Sequence, residues 1–361
     1  MRSRRRLAAA LSLLALQPAI ALAFYLAGNG VTRSALALAS VPLALVTAAV
    51  WASGRALRSA PAVLAALLAL DGVYVADRCV RTETGRSGIR LCEMRDCTSE
   101  APLLTRLAPE SETARAGMAL TSTLGMIREP ERSELTRLLR HEYDAIDRSP
   151  ALSSLPSAPL LGLVRGRGRH LLWLPPDTAR PAPAIVFLHG FGGQLTAYLT
   201  ALLDAGLGEH HAILAPFGGP VGMWWSDSEQ ERLLDLLDHG LPPSVDPSRL
   251  TLVGLSNGAI GATAIAASPR FAGRFRRVVA LSGARLLDAV PATTAPILFL
   301  TGRDDPRFPF EYIEQAHARM RDRGVTTSLA ALPGDHFIIL SKKHEVTARI
   351  LDWISQDALT P

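Results

Sequence analysis

The chain is poor in cysteine and almost without lysine. Its three cysteines are Cys79, Cys92 and Cys97, and its two lysines are adjacent, Lys342 and Lys343, with arginine supplying the remaining basic charge. Three cysteines leave room for at most one disulfide, Cys92–Cys97 or either of the other two pairings, and any of these needs an oxidising compartment. The lysine bias reads as genomic composition. There is no internal repeat, zinc-ligand spacing, phosphate-binding loop or dinucleotide fingerprint, which excludes the chemistries those patterns carry. No metal or organic cofactor is implied. The net charge is +5, but the first 97 residues hold twelve arginines against five acidic residues, so the remainder is slightly acidic. Basicity therefore belongs to the N-terminal flank, and nucleic acid is excluded as a partner.

Charge is also scarce in three N-terminal stretches. After the basic start Met1-Arg-Ser-Arg-Arg-Arg6 come apolar runs over 7–27, 35–52 and 59–76, the last interrupted by Asp71. Helices of that length span a hydrocarbon core about 30 Å thick. The spacing predicts two or three membrane helices in 1–77, the first alternatively a cleaved signal, since Ala21-Leu-Ala23 has the small-x-small form. Three crossings would place the rest of the chain outside the cytoplasm. The arginines at 78, 81, 86, 90 and 95 favour the inside, whereas the cysteines and the tendency of long domains to translocate favour the outside. The expectation is a cell-membrane protein with an extracytoplasmic main domain. Residues 78–160 read as a Cys-containing connector with one helix over 131–146 (Leu135, Leu138, Leu139, Tyr143, Ile146, preceded by Pro130), closed by a Ser- and Pro-rich linker.

The most informative stretch is Thr251-Leu-Val-Gly-Leu-Ser256-Asn-Gly258, an apolar strand pattern running into Gly-x-Ser-x-Gly, followed by a small-residue helical pattern over 259–267. A nucleophile elbow needs that order, because the serine sits on a strained strand-to-helix turn. Two later strand patterns, 296–302 and 327–332, end in Gly302-Arg-Asp-Asp305-Pro-Arg-Phe-Pro309 and Pro333-Gly-Asp-His336. Serine, aspartate and histidine thus follow one another at strand ends. Upstream, Pro183 to Gly190 is a buried-strand pattern feeding Phe191-Gly192-Gly193, a turn able to present a backbone N–H to an oxyanion.

With these motifs the chain resembles the α/β-hydrolase superfamily, and within it the phospholipase/carboxylesterase-like serine hydrolases. The resemblance rests on His189-Gly-Phe-Gly-Gly193, Pro216 with Trp225-Ser-Asp227, Gly254 to Gly258, Leu281-Ser-Gly283, Gly302 to Pro309 and Gly334-Asp-His336, and it spans roughly 165–355. Asn257 stands where that group often has Gln, and the histidine motif lacks the usual Gly-x-Gly-His form. The implied fold is a mainly parallel α/β sheet with helices on both faces, the hydrolase domain occupying 161–361 behind the membrane segments.

The expected catalytic residues are Ser256, Asp305 and His336. Asp305 is preferred over Asp304 by the spacing the resembling hydrolases use, and His336 over His344, which lies in a charged run. His189 orients its turn. The oxyanion donors are expected at the backbone N–H of Phe191 (or Gly192) and of Asn257. Trp224 and Trp225 either wall the substrate pocket or pack under the sheet edge. The stretch between Gly283 and Pro296 is too short for a lid, which favours an open-site esterase over an interfacial lipase. The expected activity is hydrolysis of a small-molecule carboxylic ester. The rivals are a peptidase or amidase using the same triad, and a catalytically silent membrane-tethered binding module.

Overall fold

The computed structural model describes residues 88–98, 110–148 (except 124, 126, 128 and 130), 168–176, 180–193, 196–219, 221–291 and 294–356. The apolar runs of 1–77 lie outside the described residues. Among the described residues no helix is long and apolar enough to cross a membrane. The chain divides into two compact units, Met1–Thr84 with Pro102–Thr136, and Gly85–Ala101 with Arg137–Pro361. In the first, α1 (Glu110–Thr123) and the start of α2 (Glu131–Arg148) meet where the Thr136 hydroxyl lies 3.9 Å from Met118 Sδ.

The second unit is built on a sheet of nine strands in the order β2-β1-β3-β5-β4-β6-β7-β8-β9. In chain order these are β1 (Ile89–Glu93), β2 (Asp96–Thr98), β3 (Arg169–Trp173), β4 (Ala182–Leu188), β5 (Ala212–Pro216), β6 (Val245–Leu255), β7 (Arg277–Leu281), β8 (Ile297–Gly302) and β9 (Thr327–Leu332). The six from β4 onward pair in parallel, and β1, β2 and β3 pair antiparallel. Parallel strands covered on both faces require continuous apolar runs. Ile185-Val-Phe-Leu188, Leu250-Thr-Leu-Val253 and Ile297-Leu-Phe-Leu300 supply them, and all are buried. The helices are α3 (Thr196–Asp204), α4 (Asp227–Asp235), α5 (Asn257–Ala266), α6 (Phe310–Asp322), α7 (Ile338–Ser341) and α8 (Lys343–Ser355).

Two features depart from the sequence reading. The stretch read as connector contains β1 and β2, which extend the same sheet, and Cys92 and Cys97 face each other across that hairpin and are joined by a disulfide. Strand β3 was also not anticipated. It opens on two polar residues, Arg169 and His170, and lacks the long apolar run that marks the central strands.

Strand order fixes where a site can form. From β4 the chain goes to β5 on one side and then crosses to β6 on the other. At such a switch point the loops leaving the carboxyl ends of β4 and β6 diverge and open a crevice. The registers Leu188↔Gly254, Leu255↔Leu281, Leu281↔Leu300 and Gly302↔Leu332 bring those ends level, so the loops after β4, β6, β8 and β9 emerge along one edge.

Candidate active site

Ser256 stands between β6 and α5 with φ 55° and ψ −116°, a region a residue with a Cβ rarely enters. Such backbone costs of order 1–3 kcal/mol and persists only where its surroundings over-determine it. Here they do. The Ser256 N–H donates to Leu281 O at 2.8 Å, tying the turn to the end of β7. A Cβ at Gly254 would run into the Gly258 carbonyl, and one at Gly258 into the Leu188 carbonyl. The two glycines of the motif therefore let the incoming strand, the outgoing helix and β4 close on one another. Next to it, Ser282 has φ 51° and donates its N–H to Leu300 O at 2.8 Å, so the support is itself strained.

The structure brings Ser256, His336 and Asp305 together. Ser256 Oγ lies 3.0 Å from His336 Nε2, and His336 Nδ1 lies 2.8 Å from Asp305 Oδ2. A carboxylate accepts only, so Nδ1 carries the proton and Nε2 is left free to accept from the serine hydroxyl. Asp305 is 3% exposed and His336 4%. The other Asp305 oxygen, Oδ1, accepts from the N–H of Arg307 at 2.8 Å and of Phe308 at 3.0 Å, which fixes the carboxylate plane. The His336 ring lies between Phe308, stacked at 5.9 Å, and Phe337, edge-on at 5.2 Å. Asp335 Oδ1 accepts from Phe337 N–H at 2.9 Å and sets the local turn. Asp304 and His344 are both exposed, and neither side chain is bonded to His336 or Ser256.

The turn after β4 is organised by His189, which is fully buried. Gly218 N–H donates to Nε2 at 3.1 Å, so the proton sits on Nδ1 and is given to Gly190 O at 2.7 Å. Burial pushes its pKa down to about 4, with the bonds to Gly190 and Gly218 opposing, so the ring is neutral near pH 7 and structural in character. Trp224, 2% exposed, donates its indole N–H to His189 O at 2.9 Å and meets the imidazole edge-on at 5.0 Å. Trp225 is half-buried. Phe191 projects from the turn, exposed, and Asn257 is the first residue of α5, where backbone N–H groups have no partner within the helix.

Three contributions were not read from the sequence. The Asn257 side chain donates from Nδ2 to Val221 O at 2.7 Å, the imidazole of His189 joins the turn to the loop after β5, and Phe308 stacks on His336. Only the position of Asn257 after the serine, and the clustering of Phe308 in the Asp305 turn, hinted at them. Each bond joins residues about thirty or more apart, which local pattern does not encode.

The strand order, the serine elbow and the three joined side chains fit the α/β-hydrolase fold. No family model matches the chain, and no curated protein does. Solved structures similar to it include an S-formylglutathione hydrolase (FrmB) from Staphylococcus aureus, at 17% identity over 52% of this chain and 89% of that one, TM-score 0.43. Also similar are the fluorophosphonate-binding serine hydrolase FphF of the same organism (14%, 52% and 91%, TM-score 0.42) and Est1E from Butyrivibrio proteoclasticus (17%, 52% and 94%, TM-score 0.41).

Proposed function

We propose that this protein is a membrane-anchored serine hydrolase that cleaves carboxylic esters through an acyl-enzyme on Ser256. The observation that carries the reading is the unbroken chain Ser256 Oγ, His336 Nε2 and Nδ1, Asp305 Oδ2, at 3.0 and 2.8 Å. Ser256 Oγ attacks the ester carbonyl as its proton passes to His336 Nε2, and the carbonyl electron pair moves onto oxygen. Backbone N–H groups of Phe191 and Asn257 receive that oxyanion. The C–O bond to the alcohol then breaks, and the alcohol leaves with the proton from Nε2. Water, deprotonated by His336, attacks the acyl-enzyme. The acid departs, and Ser256 regains its proton. Asp305 holds the imidazole in the required tautomer and stabilises its charged form.

Anchoring rests on the apolar runs of 1–77, and an extracytoplasmic hydrolase domain on the Cys92–Cys97 disulfide, since such bonds persist in oxidising compartments. One experiment addresses the orientation and the serine chemistry together. A membrane-impermeant fluorophosphonate applied to intact cells should label the wild type and leave Ser256→Ala unlabelled. Labelling confined to lysed cells would overturn the orientation. Absence of labelling after lysis would overturn the hydrolase, in favour of a silent binding module. A panel of matched esters and amides then separates esterase from peptidase or amidase.

A further inference from the structure

The large apolar side chains that stand exposed among the described residues are Phe191 (47%), Val221 (40%) and Met223 (48%). They are not scattered. Phe191 follows Gly190, where a Cβ would lie 3.0 Å from Ser256 Cβ and 3.6 Å from its Oγ. Val221 and Met223 flank Gly222, whose backbone (φ 67°) lies so close to the His189 and Gly190 carbonyls that a Cβ there would stand 3.0 Å from both oxygens. Val221 O is held by Asn257 Nδ2, and Trp224 anchors the far end of the same loop on His189 O. The patch is thus fastened by hydrogen bonds to the turn and to the residue after the nucleophile.

Building on the hydrolase reading, we propose that Phe191, Val221 and Met223 form the wall that receives the acyl chain, so that the site prefers esters whose acid carries an apolar chain over acetyl esters. Strand order decides between acyl and alcohol. The turn after β4 and the loop after β5 lie on one side of the β6 elbow, and His336 and Asp305, after β9 and β8, lie on the other. The alcohol oxygen must take its proton from His336, so the alcohol lies on the histidine side, beside Phe308 and Phe337. The acyl chain is the carbon substituent of the tetrahedral centre left to point the other way, toward the exposed patch. An open wall covers one face of a chain, so it captures part of what full burial would.

The test is kcat/KM for a series of soluble p-nitrophenyl esters from acetate to hexanoate, with the alcohol held constant. In the wild type it should rise about twofold per methylene, roughly half the gain that complete burial gives. The double variant Val221→Thr/Met223→Ser should flatten that rise. An alcohol series on a constant acetyl group should show the same dependence in both proteins. A wild type that labels with fluorophosphonate but shows no chain-length dependence overturns the wall, and so does a double variant that keeps the full rise. A double variant that changes vesicle binding or self-association while keeping the rise also overturns it, and reassigns the patch to a membrane or to a second copy. Should the double variant fail to fold, Met223→Ser alone is expected to lower the rise per methylene, and an unchanged rise in it overturns the wall. Loss of fluorophosphonate labelling in the wild type would instead strike the hydrolase reading on which the wall depends.

Discussion

Asp305 and Asp304 are adjacent in sequence and different in circumstance. The first is buried, bonded to His336 through one oxygen and to two backbone N–H groups through the other, and the second is exposed. Asp305→Asn keeps the size but offers an amide that presses the imidazole toward the wrong tautomer, so turnover should fall about 10⁴-fold. His336→Ala removes the base outright and should cost about a hundredfold more, because a triad acts as a unit. Asp304→Asn should change turnover by less than about threefold, as surface substitutions do. Steady-state kinetics on one soluble ester ranks the three, and a crippled Asp304→Asn enzyme with a near-normal Asp305→Asn would reverse the assignment.

Among the elements, α2 and α3 are joined to α8 by a single lysine. Lys343 Nζ lies 3.0 Å from Glu142 Oε1 on α2 and 2.7 Å from Asp204 Oδ2 on α3. Burial lowers the Lys343 pKa, but the bonds and charges of Asp204 and Glu142 outweigh it, and the net shift is upward. The bond to Lys343 holds Asp204 below the usual carboxylate range. A raised lysine gives stability that is present below its unfolded pKa and lost as pH rises through the higher folded value. A lowered aspartate gives stability that is present above its unfolded pKa and lost as pH falls through the lower folded value. The clasp is therefore whole across neutral pH. Lys343→Met leaves the buried Glu142 carboxylate without its cation and should destabilise the fold by about 3 kcal/mol, read from denaturant unfolding at pH 7. An unchanged unfolding midpoint would mean that the clasp contributes nothing. In the sequence this stretch reads only as a charged run. The run does begin α8 and Lys342 is partly exposed, but the partners of Lys343 lie 201 and 139 residues away, and no local pattern points to them.

For the whole molecule, the legible part was the parallel half. Each central strand had to be a continuous apolar run, and each of β6, β8 and β9 ends in a distinctive turn, so the places of Ser256, Asp305 and His336 could be read in order. The antiparallel half was opaque. β2 has three residues, β1 buries only Ile89 and Cys92 of its five and shows no strict alternation, and β1 finds β3 about eighty residues later, so nothing local separates these strands from loop. The loop chemistry that shapes the crevice was hidden for the same reason. It depends on which loops the strand order makes neighbours.

The elbow also sets a ceiling on stability. The backbone at 256 is one that glycine enters freely and serine does not. Alanine shares the penalty of serine, so comparing Ser256→Gly with Ser256→Ala isolates the backbone term from the loss of the hydroxyl. The glycine variant should melt higher by roughly 2–4 °C, what about 1 kcal/mol amounts to in a domain of this size. Equal melting temperatures would show that the turn is unstrained. If the difference is found, the fold is held below its own optimum by the residue that the proposed chemistry uses. A lineage released from selection for turnover would then have a thermodynamic reason to lose Ser256 to glycine.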